Sequence, residues 1–369
     1  MRIYRIGDFY NNYEPIGTAL FRICHINLAK GFRGGERQTE LLIRAIGAFE
    51  DVSQTVILRK DSPLIDRLDG SSPRLELHVV SKPYIRYAFL TRDCSLIHAH
   101  EAKAAQFAYL SSRLYRRPYL ITRRVPNPIK SNPLSRRIYI KSNMVVALSG
   151  AIRDLLVKYD SRLKPVIIPS MVSNLPFDPV SKDEIRRRYA GKFLVGHAGA
   201  LVNRHKGQQY LLEAASILEN VYPNIHFFFL GQGEDESWLK GLADGLSNVT
   251  FTGFIENLGD YLAAFDLFVF PSLQEGLGSV LLDAMQFKLP IVASDVDGIP
   301  DIIEHEKTGL LVPPRDGKAL SRAIENLYLS GDKRLMLSEN AYAATVKYHP
   351  REIAALYLSA YKQILSRLI

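Results

Sequence analysis

The sequence lacks the features that mark several large classes of protein. It has only two cysteines, Cys24 and Cys94, among 369 residues, which excludes a disulfide framework and a cysteine-rich zinc site and is typical of a reducing compartment. No stretch approaches the roughly 18 consecutive apolar residues that a membrane-spanning helix needs. There is also no fixed-period repeat and no low-complexity tract, so neither a repeat array nor a biased linker is predicted.

The first residues, MRIYRIGDFYNN, contain no apolar core of a secretory signal peptide. Together with the lack of a membrane span, this predicts a cytoplasmic protein. With 47% hydrophobic and 23% charged residues, a chain of this length is expected to be globular and to form two domains, each with its own core.

Acidic residues are absent between Glu101 and Asp154, where eleven Lys and Arg accumulate. Residues 1–150 contain 24 Lys and Arg against 12 Asp and Glu, whereas the remainder carries a net charge of −3. The basic excess therefore belongs to the first half of the chain. Such a field attracts anionic membrane surfaces, phosphorylated acceptors or nucleic acid. The alternative is a basic face that is merely solvated.

Short apolar runs alternate with helical patterns along nearly the whole chain, and this alternation is typical of βα units in a mostly parallel sheet. The proline-rich segment PVIIPSMVSNLPFDPVSKDE is the predicted domain boundary. The fold class predicted is α/β, with two Rossmann-like, doubly wound domains facing each other across a cleft. We expect an N-terminal domain over residues 1–168, a C-terminal domain over 169–349, and a last helix over about 350–369 that packs back on the first domain.

The stretch PSLQEGLGSVLLDAM, residues 271–285, follows the buried run FDLFVF, for which we predict a strand over 266–270, and opens a helical pattern. In an open parallel sheet, ligands bind at the carboxyl ends of strands, where helix N–H groups are free. If the helix begins near Ser279, Asp283 lies about one turn further on, roughly 6 Å along the axis. A phosphate bound at the helix end would bring a ribose within reach of the Asp283 carboxylate. Glu275 would then lie over the other end of the ligand. The alternative is a surface loop before a capped helix.

The first half of the chain offers comparable strand ends. Gly34 and Gly35 open an amphipathic helix predicted over 36–49. His98 and His100 are expected to emerge at the end of the strand in SLIHA, although a loop histidine is more often simply exposed. Further helices are predicted over 102–115, 151–159 and 207–220.

The segment EGLGSVLLDAMQFKLPIVASDVDGIPDIIEHEKTGLLVPP resembles the nucleotide-binding half of the retaining glycosyltransferases of family four, which have the GT-B fold. The similarity covers most of residues 195–315, and RGGERQ matches the N-terminal glycine loop of that family. The resemblance implies that Glu275 contacts the hydroxyls of the donor sugar, that Lys206 faces the diphosphate and that His100 lies near the transferred sugar. The residues predicted on this basis are catalytic Glu275, His100 and Lys206, and donor-binding Gly34, Gly35, Arg204, Lys206, Gly276, Leu277, Gly278, Ser279, Val280 and Asp283.

The chain departs from the family pattern at three positions. Asp283 replaces a glutamate and is one methylene shorter, so its contact with ribose is expected to be looser or bridged by water. Leu201 stands where the family usually has an arginine, and Arg204 is the candidate replacement. The sequence Asp295 to Asp297, DVD, looks like the metal-binding signature of the other main glycosyltransferase fold, but it lies within the family-four pattern, with Asp297 at a glycine position. We therefore predict no metal and no cofactor.

The acceptor is expected to meet the basic first domain, where Arg123 and Arg124 follow the predicted strand YLIT. The resemblance implies a retaining, metal-independent hexosyltransferase that moves a sugar from a nucleotide-diphosphate donor. An anionic or lipid-linked glycan is the predicted acceptor, in cell-envelope or lipopolysaccharide synthesis, with peripheral electrostatic contact to the cytoplasmic face of the inner membrane. Two alternatives stay open, a catalytically silent GT-B subunit that binds a partner, and a nucleic-acid-binding protein. Nucleic acid is not expected, because the half that carries the motif is acidic.

Overall fold

The computed structural model describes residues 21–70, 72–130 and 132–367. The N-terminal stretch considered for a signal peptide lies outside these residues. The chain divides into two compact units: the N-terminal unit runs to Met171 and resumes at His349, and the C-terminal unit is Val172–Tyr348. Among the helices of the described residues, none combines the length and the apolar character needed to cross a bilayer.

The N-terminal unit contains a parallel sheet of seven strands in the spatial order β3-β2-β1-β4-β5-β6-β7. Its strands are β1 (Phe21–Asn27), β2 (Val52–Arg59), β3 (Leu75–Val80), β4 (Leu96–Ala99), β5 (Tyr119–Arg123), β6 (Met144–Ala147) and β7 (Val166–Ile167). Its helices are α1 (Gly34–Ile46), α2 (Leu64–Leu68), a 3-10 helix (Tyr84–Thr91), α3 (Ala102–Tyr115), α4 (Pro133–Ile140), α5 (Gly150–Tyr159) and the chain-terminal Pro350–Ser366.

The C-terminal unit contains a second parallel sheet, in the order β10-β9-β8-β11-β12-β13. Its strands are β8 (Phe193–Ala198), β9 (Ile225–Leu230), β10 (Val249–Gly253), β11 (Leu267–Phe270), β12 (Ile291–Ser294) and β13 (Leu310–Val312). Its helices are α6 (Pro179–Arg188), α7 (Asn203–Lys206), α8 (Gln208–Glu219), α9 (Glu236–Leu242), α10 (Leu258–Ala264), α11 (Ser279–Gln286), a 3-10 helix (Ile299–Asp301), α12 (Gly317–Leu329), α13 (Gly331–Ala344) and a 3-10 helix (Thr345–Tyr348). We label Pro350–Ser366, which belongs to the other unit, α14.

The burial pattern of the strands agrees with the parallel arrangement of both sheets. The strands β4, β6, β9, β11 and β12 are buried along their whole length, as expected for parallel strands covered on both faces. Helix α14 adds a row of buried side chains to the core of the N-terminal unit, including Tyr357 and Tyr361. Two doubly wound α/β units, as predicted, are therefore present.

Several element boundaries differ from the predictions in small ways. Helix α1 begins at Gly34 and ends at Ile46, so the glycines belong to its first turn rather than preceding it. Asp266 was predicted to start a strand, but it lies just before β11. Its carboxylate accepts two hydrogen bonds from Arg186, each 2.8 Å long, and one from the backbone N–H of Leu194. A charged side chain with these partners marks the edge of the strand, not its buried part.

Both sheets reverse their winding direction between two central strands. In the N-terminal unit the reversal falls between β1 and β4, and in the C-terminal unit it falls between β8 and β11. Crevices at such topological switch points, beyond the carboxyl ends of the strands, are where open α/β sheets bind ligands. The residues that follow these four strands are consequently the first place to look for function.

Candidate functional site

The loop after β11 and the short helix after β8 meet at the switch point of the C-terminal unit. The ammonium of Lys206, at the end of α7, contacts the carboxylate of Glu275 as an ion pair. The two side chains are 22% and 17% exposed, so the pair is largely shielded from solvent. The Lys206 nitrogen also lies 5.0 Å from the centre of the Phe270 ring, within the range of a cation–π contact. Two of the three residues with predicted catalytic roles, Lys206 and Glu275, are therefore neighbours.

Glycines shape the backbone on both sides of this ion pair. Gly207 has φ +63°, and a Cβ there would lie 2.3 Å from the carbonyl oxygen of Pro271, so the chain can turn from α7 into α8 only without a side chain. Gly278 has φ +84° and immediately precedes α11, which begins at Ser279 as predicted. The free N–H groups of the first turn of α11 thus follow directly on the loop that carries Glu275.

Asp297 anchors the backbone of Glu275. Its carboxylate accepts a 2.9 Å hydrogen bond from the N–H of Glu275, and the N–H of Gly298 donates to the carbonyl of Glu275. Asp297 has φ +45°, a left-handed conformation that glycine adopts without strain. This conformation gives a physical reason for a glycine at the position in the family pattern, and here the aspartate adds a hydrogen bond that glycine lacks.

Asp283 is buried in α11, and its carboxylate contacts Ser173. It accepts hydrogen bonds from the backbone N–H of Ser173, at 2.9 Å, and from the hydroxyl of the same residue, at 3.3 Å. Sequence reasoning did not predict Ser173. Contact of this carboxylate with ribose stays a prediction.

Arg204 lies in an exposed setting. Its side chain is 70% exposed and pairs with Glu234 at 3.1 Å. Leu201, at the position where the family has an arginine, is fully buried in the core of the C-terminal unit. Leu201 therefore serves the packing of the core at that position. The donor-binding role of Arg204 stays a prediction.

His197 and Gln208 belong to this site and were not singled out from the sequence. His197 is buried near the end of β8 and its Nδ1 lies 3.1 Å from the carbonyl oxygen of Val269. Burial lowers the pKa of His197 from 6.5 to about 4. Gln208 Nε2 lies 3.4 Å from the other ring nitrogen. The signal that drew attention to His100, a histidine at a strand end, is also present in FLVGHAGAL.

A cluster of three histidines lies at the switch point of the N-terminal unit. His25 is near the end of β1, His98 is within β4 and His100 follows β4. His25 Nδ1 is 3.0 Å from His100 Nε2, and the guanidinium of Arg124 reaches His100 Nδ1 at 3.3 Å. All three rings are buried. Burial lowers the pKa of each, to about 3 for His25, so all three are neutral near pH 7.

The prediction that His98 emerges at the end of a strand is wrong. His98 lies inside the strand, and both of its ring nitrogens are 2.7 Å from hydroxyl groups, one of Tyr361 in α14 and one of Thr122 in β5. The residue is a fully bonded part of the core.

Arg123 and Arg124, which were predicted together, differ in their surroundings. Arg123 is the last residue of β5, and its guanidinium donates to the carbonyl of Asn127 in the following loop. Arg124 contacts His100, and its Cδ lies 3.5 Å from where a Cβ on Gly35 would stand. Only Arg124 therefore joins the histidine cluster to the glycine start of α1.

The three histidines could also be considered as metal ligands, because one ring nitrogen of each lies within 4.8 Å of the others. The chemistry of the surroundings opposes this interpretation. Both nitrogens of His98 are occupied by hydroxyls, and the Arg124 guanidinium adjoins His100, where it would repel a divalent cation. At Asp295–Asp297, the sequence that looks like a metal signature, one carboxylate oxygen of Asp297 accepts a hydrogen bond from the N–H of Glu275.

Two doubly wound parallel sheets, with polar clusters at their switch points, define an α/β protein of the GT-B type. Residues 192–330 match the family Glycosyl transferases group 1. The resemblance to the family-four glycosyltransferases is thereby confirmed over this segment of the C-terminal unit, and the fold class is GT-B.

Individual relatives agree with this assignment. The alpha-D-kanosaminyltransferase of Streptomyces kanamyceticus is 29% identical over 280 residues, which are 66% of this chain and 71% of that enzyme. The lipopolysaccharide core biosynthesis glycosyltransferase LpsE of Rhizobium meliloti is 32% identical over 171 residues, 46% of this chain and about half, 48%, of that relative. The crystal structure of Anabaena HepE in complex with UDP and glucose has a TM-score of 0.78 at 20% identity and covers 93% of this chain and 100% of HepE.

Proposed function

We propose that the protein is a retaining, metal-independent glycosyltransferase that moves a hexosyl group from a nucleotide-diphosphate sugar to an anionic or lipid-linked glycan. The observation that carries the proposal is the shielded Lys206–Glu275 pair beside the start of α11. It joins a cation suited to a diphosphate with a carboxylate suited to sugar hydroxyls, at a switch point within the segment that matches the family.

The C-terminal unit is the proposed donor-binding half. The N–H groups at the start of α11 and the ammonium of Lys206 supply positive potential for the diphosphate. The loop over Gly276–Gly278 carries no bulky side chain except that of Leu277, which suits a backbone that holds a diphosphate. The UDP and glucose bound by HepE support UDP-sugars as the first donors to test.

The proposed transfer needs no nucleophile from the enzyme. The bond between the anomeric carbon and the leaving diphosphate oxygen breaks, and the acceptor hydroxyl forms the new bond on the same face of the sugar. The departing phosphate oxygen takes the proton of that hydroxyl. Lys206 and the α11 N–H groups stabilise the negative charge that develops on the diphosphate, and Glu275 orients the sugar. His100 keeps the proposed role near the transferred sugar.

The N-terminal unit is the proposed acceptor-binding half, because the acid-free segment between Glu101 and Asp154 lies in it. Arg123 and Arg124 remain the proposed contacts for an anionic acceptor. A role in the cell envelope is supported by the similarity to LpsE, whose name places that relative in lipopolysaccharide core synthesis.

A membrane surface is proposed as a further partner of the N-terminal unit. The 3-10 helix Tyr84–Thr91 and helix α3 pack against each other and expose apolar side chains, among them Phe89 at 49% and Leu114 at 61%. Exposed arginines accompany these side chains on both elements, for example Arg86 and Arg113. Apolar groups beside basic ones suit the interface of an anionic bilayer.

We expect the double variant Phe89→Ser, Leu114→Ser to bind vesicles of anionic phospholipid at least about tenfold more weakly than the wild type, since each buried large apolar side chain contributes on the order of 1.5–3 kcal/mol. Vesicle co-sedimentation measures the change. Val346→Ser is the control, because Val346 is also an exposed apolar side chain but lies in the C-terminal unit. Equal loss of binding in the control, or none in the double variant, would remove this surface from the proposal.

Thermal unfolding with UDP, GDP, ADP and their sugars, in the presence of EDTA, tests the proposed function as a whole. A ligand at 100 times its Kd stabilises by about 2.7 kcal/mol, so the right nucleotide should raise the Tm clearly. Hydrolysis of the matching nucleotide-sugar without acceptor then separates an enzyme from a silent subunit. Stabilisation only after addition of Mn²⁺ would contradict metal independence, and salt-sensitive binding to random DNA without a nucleotide effect would favour the nucleic-acid alternative.

Mutation can separate the observed contact of Asp283 with Ser173 from its proposed contact with ribose. Asp283→Asn keeps an acceptor for the Ser173 N–H but removes the charge, so we expect it to bind UDP more weakly by about 1.5–3 kcal/mol and to distinguish UDP less from 2′-deoxy-UDP. Ser173→Ala is the matched control. It should lower the free energy of unfolding by about 0.5–1.5 kcal/mol and leave the discrimination intact. Calorimetric titration with both nucleotides decides, and unchanged discrimination in Asp283→Asn would make this aspartate purely structural.

A further inference from the structure

Four polar side chains form a row across adjacent strands of the N-terminal sheet. Gln54 is in β2, His25 is in β1, His100 follows β4 and Arg124 follows β5. The strands are neighbours in this same order, β2-β1-β4-β5. The row therefore crosses the switch point, and it ends at Arg124 beside Gly35.

The direction of each hydrogen bond in the row is fixed by the chemistry of its members. A guanidinium only donates, so His100 Nδ1, which receives Arg124 at 3.3 Å, must be the unprotonated nitrogen. A neutral ring then carries its proton on Nε2, which donates to His25 Nδ1 at 3.0 Å. By the same rule the proton of His25 is on Nε2.

The remaining donor of the row is the Nε2–H of His25, and the oxygen suited to accept from it is Gln54 Oε1. Within the described part of the chain, His25 Nε2 and Gln54 Oε1 are both buried, and neither makes a hydrogen bond of good geometry. Gln54 raises the pKa of His25 against the larger effect of burial, as an acceptor facing the ring N–H would. The amide of Gln54 is itself oriented, because its Nε2 donates to the carbonyl of Ile43 at 3.0 Å. The fixed amide of Gln54 therefore sets the direction of the hydrogen bonds along the row toward Arg124.

We propose that Gln54 and His25 are positioning residues that hold His100 as the neutral Nε2–H tautomer and so present its Nδ1 to the guanidinium of Arg124. With both ring nitrogens engaged, His100 is not a general base. Its contribution is to hold Arg124 at the glycine start of α1, and the acceptor proton is left to the departing phosphate. The catalytic consequence rests on the proposed function, whereas the tautomer does not.

Long-range ¹H–¹⁵N correlation spectra of the full-length protein with labelled histidine test the tautomer directly. His25 and His100, assigned by the loss of signals in single variants, should each show a protonated Nε2 and an unprotonated Nδ1. Neither should titrate between mildly alkaline and mildly acidic pH. A protonated Nδ1 on His100, or titration near neutrality, would overturn the proposal even if the protein is an active transferase.

Variants of His25 test the positioning role. His25→Leu removes the acceptor for His100, so the spectra should show mixed tautomers of His100, and kcat should fall about two- to tenfold with little change in the KM for the donor. His25→Gln offers a carbonyl oxygen in its place and should restore both. His226→Leu is the matched control, because His226 is a buried histidine of the C-terminal unit bonded to Thr250 at 2.8 Å, and it should leave kcat unchanged.

Gln54→Leu provides a second variant that keeps all three histidines, in case His25→Leu does not fold. It should relax the tautomer of His25 and, through it, that of His100. Unchanged tautomers in this variant and in His25→Leu would refute the positioning role. Altered tautomers with unchanged kcat in an active transferase would refute the catalytic consequence. If no donor is ever turned over, the proposed function fails while the tautomer result still stands.

Discussion

Lys206→Met should lower kcat for sugar transfer about 100- to 1000-fold, the range found when one donor to a developing negative charge is removed from an active site. Methionine keeps much of the length and apolar contact of lysine, including packing near Phe270, but has no charge to place at the leaving diphosphate. The variant also leaves the carboxylate of Glu275 without its ion-pair partner, next to where the dianion is proposed to bind. Steady-state kinetics with the donor identified by thermal shift measure the effect.

Lys240→Met is the matched control for this prediction. Lys240 also pairs with a glutamate, Glu236 at 2.8 Å, and it lies in the same unit, but that pair is exposed on α9. Exposed pairs contribute little to stability, about 0–1 kcal/mol, so the control should keep wild-type kinetics. Full activity of Lys206→Met, or an equal loss in Lys240→Met, would remove Lys206 from the proposed reaction centre.

Features that depend on neighbouring residues could be predicted from the sequence. The strand, loop and helix over residues 267–286 follow from a short apolar run, two glycines and a helical period, and α11 begins where expected. Helix α3 has the predicted bounds, and Glu101 caps it by accepting hydrogen bonds from the N–H groups of Lys103 and Ala104. In each case the physical cause lies within a few residues of the element.

Contacts between distant residues could not be predicted in this way. The bond between Ser173 and Asp283 joins residues 110 positions apart, and that between His25 and His100 joins residues 75 positions apart. No local pattern records which side chain will face a carboxylate or a ring nitrogen after folding. The same reason explains why His98 was misplaced, since Tyr361, 263 positions away, is one of the two residues that satisfy its ring.

Asp297 shows how a departure from a family pattern can change a prediction. Its two-aspartate motif resembles a metal signature, yet the left-handed backbone of Asp297 and its bond to the Glu275 N–H give it a local role. The resemblance supplied the expectation of glycine, and the structure supplies the reason for it. Glu275 is consequently held at its backbone by Asp297 and at its side chain by Lys206, so its carboxylate has a fixed place before any donor binds.

Glu275→Gln should lower kcat about ten- to a hundredfold while leaving the affinity for the free nucleoside diphosphate within a few-fold of wild type. The loss of a hydrogen bond to a charged group costs roughly 1.5–3 kcal/mol, which corresponds to that range of rates. Glutamine keeps the shape and the backbone bond to Asp297, so the effect reports the charge at the sugar and not the fold of the loop.

The nucleotide should be nearly unaffected because it is proposed to bind through Lys206 and the first turn of α11, which the change leaves in place. The change also releases Lys206 from its ion pair, and a modest gain in nucleotide affinity for that reason agrees with the proposal. Glu234→Gln is the matched control, since it removes a charge of the same kind from the exposed pair with Arg204. Calorimetry with the nucleoside diphosphate and kinetics with the nucleotide-sugar separate the two effects. Wild-type turnover in Glu275→Gln, or a loss confined to nucleotide affinity, would show that this carboxylate does not hold the sugar.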